Sequence, residues 1–311
     1  MAWRPIVVGV DDTPESRAAL ELAAKIALAA PAPLVAVHAI PDLWLAGGLD
    51  QIPPLLPEVR DMLMRDTQKR VEGIVREVVP PPIRPRLEVR AGAAAMALAE
   101  VARERNAELV VLGGREHGPL ARGLGRSTAH YLVRTLDVPV LVAGPSHGPI
   151  GRVLVAVDGS DATAPTLLAA ERLAKVLGAR IRIVFVVEPL RLMYIPVAPF
   201  DQAGFEQRLR DAFDRAVASL PVAVPEEQVV RRGAAAETIA EEAASWHADL
   251  LVMGSHGKGW MDRMLVGSTT ERLLNVLPTS LVVIPTGTRA PRVETPRRRP
   301  RKRTRRAKAA R

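Results

Sequence analysis

The chain has 311 residues, 48% hydrophobic and only 3% aromatic, with 43 Lys or Arg against 34 Asp or Glu and a net charge of +9. That length exceeds the usual single domain of roughly 100 to 200 residues, so two domains are expected. The absence of Cys excludes a disulfide framework, a thiol nucleophile and thiolate zinc sites, and it fits a reducing cytoplasm.

The opening MAWRPIVVGVDD has a short apolar run that Asp11 and Asp12 end well below the length of an export-signal core. From Ala18 to Ile40 the Ala-rich stretch is interrupted by Glu21, Lys25, Pro31, Pro33 and His38 before about 20 apolar residues accumulate, so no membrane span is expected there. The expectation is a soluble, cytoplasmic protein.

A repeat organises everything that follows. IVVGVDDTPESRAALELAAKIA, from Ile6, aligns with VLVAVDGSDATAPTLLAAERLA, from Val153, at an offset of 147. VRAGAAAMALAEVARERNAELVVLGG, from Val89, aligns with VRRGAAAETIAEEAASWHADLLVMGS, from Val230, at an offset of 141. The difference falls in a Pro-rich connection that is longer in the first copy.

In the second copy RVLVAV reads as a buried strand, and TLLAAERLAKVLG as a helix that Gly178 terminates. IRIVFVV, a helical pattern over FEQRLRDAFDRAVASL, the strand EQVVRRG, the helix AETIAEEAASWH and the strand DLLVMG come next. A glycine loop, the helix TTERLLNVL and the strand SLVVIP complete a β-α-β-α-β-α-β-α-β order. Apolar strands alternating with helices predict a parallel sheet covered on both faces, so the fold class is α/β, two repeated doubly wound domains. The predicted units are 1–147, 148–288 and a basic tail, 289–311.

The tail accounts for the charge. From Thr288 to Arg311 there are 12 Lys or Arg against Glu294 alone, which gives this segment +11 and leaves the rest at −2. It has no apolar periodicity, and its prolines forbid a long helix.

MGSHGKGWMDRMLVGSTTERLL, from Met253, spaces Gly254, Gly257 and Gly267 as G-x2-G-x9-G and places Ser268 directly after. Glycines let backbone N–H groups approach a phosphate without a Cβ in the way, and the following helix contributes unpaired donors and partial positive charge. Ser268 and Thr269 stand where a hydroxyl caps the helix or bonds a phosphate oxygen, with Lys258 and Arg263 nearby. The loop and the VDGS turn after Val157 both lie at strand carboxyl ends, where doubly wound sheets bind ligands.

The set VLVAVDGS, RRGAAAETIAEEA and MGSHGKGWMDRMLVGST resembles the universal stress protein family in its tandem two-domain form, over nearly the whole chain except the tail. The resemblance implies a five-stranded parallel sheet in each half, Rossmann-like and of the adenine nucleotide alpha hydrolase type. It further implies ATP binding where the motif is intact, a regulatory role under stress, and pairing through the last strands, here as an internal pseudo-dimer. Homo-oligomers are compatible with it. Carried over, Asp158 contacts the adenine or ribose side of ATP, Val186 lies against the adenine, and Gly254, Gly257, Gly267 and Ser268 line the phosphates. Asp158 as a turn former and Val186 as core are the alternative roles of those two residues.

The first copy keeps Asp11 but puts Glu116 and Arg126 where the second has Gly257 and Gly267, with Ser127 matching Ser268. A gapped alignment recovers Gly114, Gly118 and Gly125 only as G-x3-G-x6-G. A carboxylate facing a triphosphate is repulsive and a Cβ blocks close approach, so ATP is expected in the C-terminal half alone. The loop is no Walker P-loop; His256 and Asp262 are its only candidates for positioning water, and slow hydrolysis with magnesium stays open. For the tail, solvated disorder, non-specific nucleic-acid contact and an acidic membrane or protein surface stay open. An interaction protein acting through that tail, with the domains as a scaffold, is the alternative function.

Overall fold

The computed structural model describes residues 3–41, 57–114, 128–144, 148–188, 227–256 and 266–285, with further residues between 204 and 215. Gly257, Lys258, Asp262, Arg263, the first-half loop from Arg115 to Ser127 and the basic tail lie outside the described residues. The first half runs β1 (Ile6–Gly9), α1 (Pro14–Ala29), β2 (Leu34–Ile40), α2 (Pro57–Val78), β3 (Arg86–Ala91), α3 (Ala94–Glu104), β4 (Leu109–Gly113), α4 (Thr128–Thr135) and β5 (Val140–Ala143). The second runs β6 (Arg152–Val157), α5 (Thr163–Leu177), β7 (Arg180–Val187), β8 (Glu227–Arg232), α6 (Ala235–Ser245), β9 (Leu250–Gly254), α7 (Ser268–Val276) and β10 (Ser280–Ile284). Helical residues between 204 and 215 sit between β7 and β8, and Phe213 among them stacks on Phe185 with centroids 5.0 Å apart.

Local chemistry sets the element ends. Thr13 caps α1 by accepting from Ser16 N, and Pro14, whose missing N–H costs nothing there, opens the helix. Gly178 ends α5 in the left-handed region, φ 66°, and its N–H donates to Ala174 O. No helix among the described residues is long and apolar enough to cross a membrane.

The strand order is β3-β2-β1-β4-β5-β10-β9-β6-β7-β8, so the two parallel sheets expected from the repeat are one ten-stranded sheet. The join is the antiparallel pairing of β5 with β10, Leu281 opposite Val142 and Val283 opposite Val140. The other strand pairings among the described residues, such as β1 with β4 and β6 with β9, are parallel. Alternation along each strand feeds two cores, one per face, and both are continuous across the join. Val140, Leu141, Val142, Leu281, Val282 and Val283 are at most 2% exposed. Burial of each is worth about 1.5–3 kcal/mol relative to exposure, so the halves stabilise each other.

Candidate functional site

Within the second half the order β10-β9-β6-β7-β8 reverses between β6 and β9. The chain leaves β6 for α5 on one face and β9 for α7 on the other, which opens a crevice above their carboxyl ends. The register brings the predicted residues to one level. Ala156 pairs with Met253 and Val157 with Phe185. Gly254 and Ser255 on one side, Asp158 in the middle and Val186 on the other therefore line one edge of the sheet.

Asp158 follows β6 directly. Its Oδ1 accepts from Ser160 N at 3.0 Å and from Ser160 Oγ at 2.6 Å, while Ser160 Oγ accepts from Ala162 N at 3.3 Å. Gly159 takes φ 70°, a conformation that favours glycine and lets the turn fold back onto α5. Asp11 builds the same turn in the first half, where its Oδ1 accepts from Thr13 N and Oγ1. Oδ1 of the carboxylate thus helps to form the turn. Val186 is half-buried and packs on the core of the α6 and α7 face.

The glycine loop is closed at its base by two hydrogen bonds, and a third ties it to β10. Ser255 N donates to Ile284 O at 2.8 Å, Gly267 N to Ser255 O at 2.9 Å, and Thr270 Oγ1 to Gly254 O at 2.9 Å. A Cβ on Gly267 would stand 3.3 Å from Ser255 O and 3.6 Å from His256 Cα, so a larger residue would require Ser255 to give by a few tenths of an ångström. Gly267 is the N-cap of α7 and brings no side-chain acceptor to its first turn, which leaves the positive end of the helix dipole without a side-chain cap. Ser268 is exposed at the first position of that helix. Ser255 Oγ and His256 Nδ1 lie 3.0 Å apart beside it.

Gly254, Gly267, Ser268, Asp158 and Val186 thus occur together, while Gly257 lies outside the described residues. Sequence reasoning missed the Thr270 latch, although a hydroxyl two residues into the helix after a glycine is a signal for one. It also missed Glu188, whose Oε1 accepts from Ala235 N at 2.8 Å across 47 positions. No group of three or more His, Asp or Glu side chains arranged to hold a metal occurs among the described residues.

The sequence model of the universal stress protein family matches this chain twice, over residues 2–144 and 149–285. The chain belongs to the universal stress protein family. A universal stress protein of Mycobacterium tuberculosis is 27% identical over 306 residues, covering 89% of this chain and 96% of that protein. A second from the same organism is 29% identical over 300 residues, covering 89% and 95%. Among solved structures, a universal stress protein from Archaeoglobus fulgidus superposes with a TM-score of 0.61 at 17% identity, covering 91% of this chain and 98% of that one. A functionally unknown protein from Pseudomonas aeruginosa gives 0.63 at 20% identity, with 91% and 93% covered. These two share the tandem fold; both halves of this chain are universal stress domains by sequence and by fold.

Proposed function

We propose that the second half binds one ATP, with its phosphates at the start of α7 and its nucleoside over Asp158 and Val186, and that the chain acts as a nucleotide-responsive stress regulator. The observation that carries this is the closed base of the glycine loop. Gly267, bonded to Ser255 and with only 3.3 Å between a Cβ there and Ser255 O, presents a helix start without a side-chain cap beside Asp158 at the switch point. Backbone N–H groups and the dipole are the means by which such a helix start holds phosphate. Ser268 adds a hydroxyl at the same place, and Lys258 and Arg263 add charge by sequence.

Magnesium, if it accompanies ATP, adds charge neutralisation of the phosphates. The first half lacks the means by sequence, since Glu116 and Arg126 replace the second and third glycines. Its role in this reading is to complete the sheet and both cores.

Gly267→Arg copies the first half's own residue into the second and tests the reading. The expected result is ATP affinity at least tenfold lower, about 1.4 kcal/mol, with folding retained by circular dichroism. Affinity held within about threefold, under 1 kcal/mol, would remove phosphate from this loop.

A further inference from the structure

Beyond Asp158, the carboxyl edge of the second half carries another acid. Glu188 directly follows β7, and its Oε1 is fixed by the first N–H of α6, Ala235 N, at 2.8 Å. Glu237 adds a carboxylate to the same helical turn, where it pairs with Arg272 of α7 at 3.2 Å. Pairing of Val157 with Phe185 sets Asp158 and Val186 one residue further along their strands, and Glu188 follows two residues after Val186. With adjacent strands about 4.8 Å apart, β9 and β7 are separated by roughly 10 Å, the span of a nucleoside. The carboxyl edge of the second half therefore has helix-start donors at α7 and a carboxylate at Glu188.

We propose that Glu188 is a specificity-determining residue of the nucleotide site, its pinned carboxylate accepting a hydrogen bond from a donor at the nucleoside end of the ligand and turning anionic groups away from α6. This rests on the ATP reading of the same crevice. A carboxylate offers acceptors only, so the matching ligand group is an exocyclic amine of the base or a ribose hydroxyl.

The repeat separates this role from folding. Gly92 and Gly233 both take positive φ, 114° and 148°. Ala93 and Ala234 then cap α3 and α6 with φ, ψ of −69°, 134° and −70°, 129°. Yet the first half has Pro41 at the position of Glu188 and Met96 at that of Glu237. The turn forms without either acid, and both acids occur in the half that keeps the glycine loop.

Binding of ATP, 2′-deoxy-ATP and inosine triphosphate to the full chain, unaltered and as Glu188→Gln or Glu188→Ala, tests the proposal. The Gln side chain keeps an oxygen for Ala235 and turns its amide donor to the ligand. Expected is an unaltered chain that prefers ATP at least fivefold over inosine triphosphate, if the base amine is the donor, or over 2′-deoxy-ATP, if the ribose is. In Glu188→Gln and Glu188→Ala that preference falls toward one, and the Gln variant keeps the melting temperature, which a merely capping role would not couple to selectivity. Equal binding of all three by the unaltered chain, or preferences held within twofold in both variants, overturns the proposal. An unaltered chain that binds no ATP overturns the nucleotide reading beneath it.

Discussion

Arg172 on α5 in the second half forms an ion pair with Glu108 at the amino end of β4 in the first, and its guanidinium lies 4.4 Å over the ring of Trp3. Arg4 Nε holds the same carboxylate at 3.0 Å. The repeat mates of Arg172, Glu108 and Trp3 are Lys25, Asp249 and Ile150, and there Asp249 Oδ2 instead accepts from Gly151 N and Arg152 N. The clasp across the join is therefore one-sided. Since Arg172 is 41% exposed, solvent screens the pair, and Arg172→Ala is expected to cost about 1 kcal/mol. Lys25→Ala should stay within about 0.5 kcal/mol. Urea denaturation of both variants checks the contrast.

Acidification should weaken the fold through two glutamates. Burial pushes the Glu108 carboxyl up, but hydrogen bonds from Arg4 and Arg172 together outweigh it and hold the group below its ordinary value. Glu88 is likewise lowered against burial by Arg90 and Arg105. A carboxyl lowered in the folded state stabilises fully above its unfolded pKa, near 4.3, and that contribution is lost as pH falls through the folded value. Stability should be level near neutrality and fall below about pH 4, less steeply in Glu108→Gln. Denaturation at a series of pH values reads the slope.

Glu88 and Glu242 are one device built from opposite elements. In the first half the acid is on strand β3 and binds Arg105 Nη2 at 2.5 Å and Arg90 Nη2 at 2.6 Å, with Val101 on the facing helix. In the second the acid is on helix α6 and binds Arg182 and Arg231, each at 2.8 Å, with Val229 on the strand. Glu242 is 3% exposed, and Glu242→Val removes its charge-assisted hydrogen bonds, while Arg182 keeps Glu227 at 2.8 Å and Arg231 is 46% exposed, so the change should cost about 1.5–3 kcal/mol. Adding Val229→Glu, the first half's arrangement, should recover part of that. A double-mutant cycle that shows no coupling would contradict the equivalence.

Two glycines should respond oppositely to Ala. A Cβ on Gly113 would stand 2.5 Å from Glu15 C and 2.8 Å from Ser16 N, so the start of α1 packs directly on that backbone. Gly113→Ala is expected to destabilise by about 1–3 kcal/mol. Gly73 lies inside α2 with nothing within 4 Å of its Cβ position. Gly73→Ala should stabilise by about 0.5–1 kcal/mol. Melting temperatures of the pair give the signs.

The repeat, the alternating elements and the Gly178 cap were legible because they rest on local periodicity and a single glycine. The join of β5 with β10 followed only from the family resemblance, which implies pairing through the last strands; the local pattern is silent, since Val140 and Leu281 are as apolar as any covered strand. At the site, the meeting of Asp158 and Gly254 followed from strand order, and the place of Val186 from the family resemblance. That Asp158 Oδ1 is engaged by Ser160, and that Glu188 reaches Ala235, depend on side-chain geometry and on contacts between distant positions. Neither leaves a period in the sequence.

Equilibrium dialysis of the full chain against ATP tests the central claim most directly. One site per chain, lost in Gly267→Arg, is the predicted result. Two equivalent sites, or one that survives Gly267→Arg at full affinity, would contradict the assignment of nucleotide binding to the second half alone.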